Sequence, residues 1–286
     1  MIDDMTVIDG HVHMFRDEEL ASKIMAVFNQ KYDIPFKNTG KGTPSDLDAL
    51  MKSRGIDYSI IANFSSPKHC DNNNRWTLAC AAENKHFIPL ISFHPEMPLL
   101  SASLIDEYCR LGAKGIKLHP MAQEFDPQNE KLFQYYEYAG RKKLPVVFHC
   151  GRVANARINA YADSEKIVPV LEKFPETLFV LNHMVDGSEQ DIIDIAKRYT
   201  NVFFDTSIVI SGNEMILQHN LPSWSDDAQC LRVFRQAGVD RFLFGSDYPW
   251  GNPDMDVQRF MAMALTSSEK KQICGGNADA LFNIAV

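Results

Sequence analysis

Short apolar segments alternate with helical patterns along nearly the whole chain. There are eight such segments, and each is followed by a stretch with helical periodicity. Runs rich in Val, Ile, Leu and Phe are typical of parallel strands whose two faces are both covered. The alternation therefore predicts eight strands, at residues 6–9, 58–64, 87–93, 115–119, 145–149, 178–183, 202–206 and 242–247.

Eight βα units favour a closed (β/α)8 TIM barrel over an open doubly wound sheet. No Gly-x-Gly-x-x-Gly motif follows the first strand, which argues against a dinucleotide-binding fold. No linker or repeat interrupts the alternation, so residues 1–286 are expected to form a single domain. An insertion after the first strand, residues 14–53, is expected to hold a helix near 20–28 and another capped by Ser45. Such an insertion forms either a lid or a surface elaboration.

Charge and composition restrict the partners of the chain. A formal net charge of −8 without a basic cluster argues against nucleic acid or an anionic membrane, and leaves a small organic acid as the expected substrate. The N-terminus is acidic, no segment reaches membrane-spanning length, and the six cysteines are scattered, so a cytoplasmic protein with reduced thiols is expected. Barrels of this type commonly dimerise, and the sequence is compatible with a homodimer.

Polar residues of metal-binding type stand where the predicted strands end, which is where a barrel of this kind places its active site. His11 and His13 are two apart on an extended chain, so their imidazoles point to one side and can share a metal ion. The other residues at strand ends are His94, Lys117, His119, His149, His183, Asp205 and Asp247.

Any one of these residues could instead be a loop hydrogen-bonder or a helix cap. Asp205 fits that reading because Thr206 and Ser207 follow it, and His94 and His119 each precede a proline. Five of the groups, taken together, do not fit this interpretation as loop hydrogen-bonders or helix caps. They would repel one another or be poorly solvated unless a cation or a catalytic role organised them. These five are His11, His13, His149, His183 and Asp247.

Several motifs together resemble the amidohydrolase superfamily. They are Asp-Gly-His-Val-His on strand one, Lys-Leu-His-Pro on strand four, Phe-His-Cys-Gly on strand five, Asn-His on strand six and Gly-Ser-Asp-Tyr-Pro-Trp on strand eight. Together with Gly-Gly-Asn-Ala near the C-terminus, they are most similar to the branch that also contains aminocarboxymuconate-semialdehyde and resorcylate decarboxylases. The resemblance spans nearly the whole chain and is specific for the family, though not for one reaction.

The resemblance implies that His11, His13, His149 and Asp247 bind one divalent metal, with Zn favoured, Mn as the alternative and two metals less favoured. His183 would be an acid/base, or a ligand if two metals are present. Many superfamily members bridge two metals with a carboxylated lysine from strand four. Lys117 lies on that strand, and its sequence position leaves open whether it is such a bridge or an amine that holds a substrate anion.

A metal held by imidazoles and a carboxylate lowers the pKa of coordinated water, with Asp247 and His183 as the catalytic groups. The main prediction is therefore hydrolysis of an amide, ester or lactone bond in a small carboxylate-bearing substrate. The alternatives are non-oxidative decarboxylation of an aromatic or muconate-like acid, and a catalytically inactive barrel that binds a ligand.

Candidate substrate contacts flank the motifs. Arg152 and Arg157 follow His149 closely and could bind a carboxylate in bidentate fashion, although a solvated basic loop explains them equally well. The remaining candidates are Lys117, His119 and Trp250.

Overall fold

Eight parallel strands in sequential order form a nearly closed barrel, as the alternation predicts. The computed structural model describes residues 5–33, 37–98, 100–151, 155–186, 189–210 and 226–285. Each predicted apolar segment overlaps one strand, and the first strand extends further than expected, so that it includes His11. The strands are β1 (Ile8–Val12), β2 (Tyr58–Ile61), β3 (Phe87–Ser92), β4 (Gly115–Leu118), β5 (Val146–Phe148), β6 (Phe179–Leu181), β7 (Val202–Asp205) and β8 (Phe242–Leu243).

Helices connect the strands and cover the outside of the barrel. A 3-10 turn, Asn182–Asp186, follows β6, and another, Val239–Arg241, precedes β8. A short π-helix, Gln272–Gly276, precedes the last helix. The α-helices are α1 (Glu18–Tyr32), α2 (Pro44–Arg54), α3 (Cys70–Glu83), α4 (Ala102–Arg110), α5 (Pro120–Gln123), α6 (Glu130–Lys142), α7 (Ala156–Asn159), α8 (Ser164–Lys173), α9 (Glu189–Arg198), α10 (Asp227–Ala237), α11 (Pro253–Ala262), α12 (Ser267–Lys271) and α13 (Asn277–Phe282).

Alternate strand residues face the barrel interior and the surrounding helices. On β5, Val147 packs with the interior cluster, whereas its neighbours Val146 and Phe148 pack with the outer one. Lys117 on β4 is in register with Val147, so it belongs to the interior set. Leu281 and Phe282 of α13 pack against the same interior residues and close the end where the strands begin. The opposite end is left for polar groups.

The insertion after β1 forms two helices, α1 and α2. The cap of α2 is Thr43, whose hydroxyl accepts from the amide of Asp46 at 3.3 Å, so the expectation of Ser45 was wrong. The reason is Pro44, because proline suits the first helical position and moves the cap one residue earlier. The C-terminal part of α1 is held by Asn155, whose side-chain amide donates to the carbonyl of Lys31 at 2.7 Å.

The six cysteines are free. None of the helices in the described ranges is both long and apolar enough to cross a membrane. The cytoplasmic location stays a prediction.

The barrel closes where β1 meets the chain that follows β8. The amide of Gly10 donates to the carbonyl of Phe244 at 2.7 Å, and the amide of Asp247 donates to the carbonyl of His11 at 2.8 Å. Val12 also bridges to Tyr248 in parallel fashion. This closure places the histidine pair of β1 beside the carboxylate that follows β8.

Gly10→Ala is expected to destabilise the barrel at this closure. A Cβ at position 10 would lie 2.8 Å from the carbonyl oxygen of Phe244, so the backbone would have to move. The expected cost is about 1–3 kcal/mol, the usual range for overpacking. Thermal unfolding should show a lower Tm by about 2–4 °C for each kcal/mol. In the matched control Gly276→Ala, the new Cβ would lie 3.5 Å from its nearest neighbour atom, so no loss is expected. Equal Tm values for both variants would contradict this account of the closure.

Candidate metal centre

Five side chains from four strand ends meet at the open end of the barrel. His11 Nε2 lies 3.1 Å from His13 Nε2, and both lie near Asp247 Oδ1, at 3.4 and 3.2 Å. His183 Nε2 lies 3.2 Å from His149 Nδ1, and the rings of His11 and His183 have centroids 5.2 Å apart. The structure thus brings together all five groups that the sequence singled out, which we call the His/Asp cluster.

Within the cluster, one trio is suited to hold a single ion. His11, His183 and Asp247 are buried, and each offers a ligand atom within 4.8 Å of the other two. Of the other predicted ligands, His13 lies beside His11 and Asp247, and His149 lies beside His183. Which members of the cluster bind the metal stays a prediction.

The chemistry of the donor set fits a divalent cation. Burial, reinforced by the nearby charge of Lys117, lowers the pKa of His11 and His13 well below the usual range, so both imidazoles are neutral. Burial also raises the pKa of Asp247 to about 7. His149 Nε2 is buried and makes no hydrogen bond to the described residues. Neutral imidazole nitrogens that face one another at hydrogen-bond distance repel, unless protons or a cation lie between them.

Asp205, at the end of β7, orients His11. Its Oδ2 lies 3.0 Å from His11 Nδ1, and its Oδ1 accepts from the hydroxyl of Ser207 at 2.6 Å. It also accepts from the amide of His183 at 2.9 Å. A carboxylate on Nδ1 fixes the tautomer of His11 and directs the lone pair of Nε2 into the cluster. The loop hydrogen bonds expected of Asp205 are present, since its Oδ1 also accepts from the amide of Ser207 at 3.2 Å. The contact with His11 adds to them, and it forms because only β8 separates β7 from β1 in the barrel.

Asp9 fixes the chain on the other side of the cluster. Its side chain accepts from the hydroxyl of Ser246 at 2.5 Å and from the amide of Ser246 at 2.9 Å. Burial raises the pKa of Asp9 to about 7. These bonds tie β1 to the residue just before Asp247, so the aspartate of the Asp-Gly-His-Val-His motif helps to position the carboxylate of Asp247.

The backbone is left-handed at both His183 and Asp247. φ is 54° at His183, 47° at Met184 and 64° at Val185, and it is 62° at Asp247. Non-glycine residues disfavour this region, β-branched valine most of all, so the surrounding contacts must hold the turn in place. The turn after β6 directs the ring of His183 to the cluster, where its Nδ1 lies 2.9 Å from the hydroxyl of Ser207.

Lys117 reaches the cluster from inside the barrel. Its Nζ lies 3.2 Å from His11 Nε2 and donates to Oδ1 of Asn182. Asn182 in turn donates to Asp205. Burial lowers the pKa of Lys117 to about 8, against the opposing effect of Asp205 and Asp247. Lys117 therefore lies in direct contact with the candidate ligands.

His119 and His94 have separate local roles. His119 stacks on His149 at 3.7 Å between ring centroids, and its Nδ1 accepts from the amide of Ala122 at 3.2 Å. Its Nε2 lies 3.3 Å from the hydroxyl of Tyr32, which α1 supplies. His94 contacts the carbonyl of Gln123 and the amide of Glu96, which fits the expected turn.

Aromatic residues border the His13 side of the cluster. The ring centroids of Trp250 and His13 are 4.9 Å apart, and those of Phe64 and His13 are 5.7 Å apart. Both rings are nearly perpendicular to the imidazole. Phe28 of α1 packs on both, at 5.5 Å from Trp250 and 5.9 Å from Phe64. The insertion after β1 thus lies over the site.

The two predicted arginine contacts have different outcomes. Arg152 lies outside the described residues. Arg157 is exposed on α7, near Glu124, whose pKa is lowered first by Lys31 and further by Arg157. Its binding role stays a prediction.

Asp205→Asn is expected to weaken metal binding. The amide keeps the shape of the carboxylate but removes the charge that holds the proton on His11 Nδ1. Partners of this kind typically contribute about 10–100-fold in metal affinity. Calorimetric titration of metal-free protein with Mn²⁺ or Zn²⁺ should show that loss. Unchanged affinity would mean that Asp205 only supports the loop.

Comparison with known proteins gives the family. A family model described as amidohydrolase matches residues 8–284. The chain belongs to this amidohydrolase family. The resemblance drawn from the sequence motifs is thereby confirmed, and the chain belongs to a family of enzymes. No protein with curated annotation is significantly similar to it in sequence.

Solved structures share the fold of this amidohydrolase-family chain over nearly its whole length. An uncharacterized TIM-barrel protein from Bordetella bronchiseptica is 22% identical, with 98% of this chain and 99% of that chain covered and a TM-score of 0.73. The 5-carboxyvanillate decarboxylase of Sphingomonas paucimobilis is 14% identical, with 99% and 100% covered and a TM-score of 0.69. A dihydroxybenzoic acid decarboxylase from Polaromonas sp. JS666, with bound manganese, is 16% identical, with 99% and 98% covered and a TM-score of 0.67.

The activities of these and the other matched structures correct the main functional prediction. Most of them are named decarboxylases of 5-carboxyvanillate or dihydroxybenzoate, while one protein from Pseudomonas putida carries the name of a 2-pyrone-4,6-dicarboxylic acid hydrolase. The preference for a hydrolase was therefore wrong. The comparisons favour the alternative that the sequence left open, which is decarboxylation.

Proposed function

We propose that this amidohydrolase-family protein is a metal-dependent, non-oxidative decarboxylase of an aromatic carboxylic acid. The observation that carries the proposal is the juxtaposition of the buried His/Asp cluster with the aromatic side chains of Phe28, Phe64 and Trp250. A planar acid bound between these rings would present its carboxylate to the cluster. The decarboxylase names of the structural neighbours support the same reading.

One divalent metal is proposed, held by His11, His183 and Asp247, with His13 or His149 completing the set. Imidazole and carboxylate ligands suit both Zn and Mn. The bound manganese of the Polaromonas enzyme supports Mn as a candidate beside Zn. When bound, the metal would supply a positive charge for the oxygen atoms of the substrate.

The reaction requires a proton at a defined carbon. The bond between the ring and the carboxylate carbon breaks, CO2 leaves, and the electron pair stays on the ring carbon, which then takes up a proton. Asp247 is the proposed donor, because its carboxyl lies 3.2 Å from His13 Nε2, and His13 borders the aromatic rings. Water restores the proton to Asp247 after the product leaves. Against the burial that raises the pKa of Asp247, His183 and Lys117 lie near enough to lower it.

Reaction in deuterated water tests the proposal. A panel of hydroxybenzoic acids is incubated with the metal-loaded protein, and CO2 release and the isotopic mass of the product are measured. Decarboxylation predicts equal amounts of CO2 and arene, with one deuterium placed where the carboxylate was, and loss of both products after chelation. The proposal is contradicted if the panel is inert while esters or lactones are hydrolysed without CO2 release.

A further inference from the structure

A cavity of about 620 Å³ extends from the cluster along α1. It meets the cluster at His13, beside Trp250, and its wall also includes Pro67 from the loop after β2 and Trp76 from α3. Pockets of about 300–1,000 Å³ are typical of drug-sized ligands. A single-ring acid is much smaller than such ligands, so it would fill only the end of the cavity near the cluster.

The α1 helix carries two apolar stripes. Ala21, Met25 and Tyr32 form one stripe and are buried against the protein. A second, adjacent stripe borders the cavity and consists of Leu20, Ile24, Val27 and Phe28. Helical spacing of i, i+4, i+7 and i+8 puts these four on one face.

The second stripe is only partly covered by protein. Leu20 is 37% exposed and Val27 is 57% exposed, and they are two of the four large hydrophobic residues that are exposed among those described. Exposed apolar surface that borders a concave site is typical of ligand-binding grooves. An apolar ligand in this cavity would cover the stripe and remove that surface from water.

The end of the cavity near the cluster is aromatic, with the rings of Phe28, Phe64 and Trp250. The aliphatic side chains of α1, together with Trp76, line the part beyond them. The titratable residues of its wall are His13, Arg16 and His69, and the wall contains no Asp or Glu. Arg16 makes no ion pair with any residue in the described part of the chain. The wall also includes neutral polar side chains, among them Asn72, Asn73 and Gln123. Since it has no acidic group and an apolar face on α1, the cavity suits an anionic ligand whose remaining surface is largely apolar.

We infer that the substrate is an aromatic acid that carries an extended apolar substituent, an alkyl chain or a second ring, which lies along the second stripe of α1. This inference rests on the proposed function for the position of the carboxylate at the cluster. Ile24 and Val27 are then the residues that select for the length of the substituent. A single-ring acid without the substituent binds more weakly because the stripe stays exposed.

A series of 4-alkylbenzoates, from 4-methyl to 4-butyl, tests the inference through their dissociation constants, without any need for turnover. Affinity for the metal-loaded protein is measured by quenching of tryptophan fluorescence, since Trp76 and Trp250 border the cavity. Each added methylene should lower Kd by about fourfold, the value for burying one CH2 group. Ile24→Asn should flatten this dependence. The matched variant Ala26→Asn lies on the same helix, is exposed and does not border the cavity, so it should keep the dependence.

The outcomes separate this inference from the proposed function. A Kd that is independent of chain length, or an equal slope in Ile24→Asn and Ala26→Asn, overturns the assignment of the cavity. Length-dependent binding that is lost only in Ile24→Asn supports it. If such binding occurs but no tested acid releases CO2, the cavity assignment stands as an apolar-acid site and the decarboxylase proposal fails. If CO2 is released but Kd does not depend on the length of the alkyl chain, only the cavity assignment fails.

Discussion

Asp247→Asn is expected to lower kcat for decarboxylation by about 10²–10⁴-fold, the usual contribution of a positioned proton donor. Asparagine has the same shape and keeps the main-chain bond from position 247 to the carbonyl of His11. It cannot give a proton to the ring carbon, and it removes the charge that faces His11 and His13. Steady-state CO2 release measures the effect.

The control for Asp247→Asn is Asp194→Asn, an exposed position on α9 whose carboxylate accepts a hydrogen bond from the side chain of Gln190. It should retain full turnover. Both variants should unfold at temperatures close to that of the parent, since each replacement conserves shape. Turnover of Asp247→Asn within a few-fold of the parent would remove Asp247 from the chemistry.

His11→Gln is expected to abolish metal binding and, with it, turnover. His11 is at the centre of the cluster, with Nε2 within 3.4 Å of both His13 and Asp247 and Nδ1 paired with Asp205. Glutamine can still donate to Asp205, but it provides no imidazole nitrogen. The loss of metal affinity should exceed the ~10–100-fold loss expected for Asp205→Asn, because a ligand and not its support has been removed.

Calorimetric titration of metal-free protein measures this difference. His86→Gln is the matched control, since His86 is exposed and its Nδ1 lies 2.8 Å from the carbonyl oxygen of Asp57. It should bind metal as the parent does. An affinity of His11→Gln close to that of Asp205→Asn would place His11 outside the ligand set.

The sequence was sufficient for those parts of the site that depend on local geometry. His11 and His13 point the same way because they are two apart on an extended chain, and the strand-end positions of His149, His183 and Asp247 follow from the alternation of strands and helices. The fold class follows from the same alternation. These features depend on residues close together in the chain, so a pattern could reveal them.

The supporting residues could not be read in the same way, because they act across strands. The pairing of Asp205 with His11 depends on how β7, β8 and β1 adjoin, and the position of Lys117 depends on which face of β4 is interior. Three consecutive left-handed residues after β6 have no signature in the sequence Asn-His-Met-Val. Asp9 was visible in the sequence as the first residue of the Asp-Gly-His-Val-His motif. Its hydrogen bond to Ser246 joins two distant parts of the chain, so the motif alone could not predict it.

The sequence motifs also could not distinguish hydrolysis from decarboxylation. The ligand motifs are common to hydrolases and decarboxylases, so they favour neither. In the assignment proposed above, the substrate is selected by the wall of the cavity. Leu20, Ile24 and Val27 of α1 have the spacing of any amphipathic helix, and only the structure shows that they border a cavity. The hydrolase prediction failed for this reason.

The most direct test of the metal centre is elemental analysis of protein purified without added metal. About one equivalent of Mn or Zn per chain is expected, in line with a single site of imidazole and carboxylate ligands. Two equivalents would contradict the single site and would point to Lys117 as a bridge between metals. Protein that contains no metal and takes none up on incubation with Mn²⁺ or Zn²⁺ would contradict the metal centre itself.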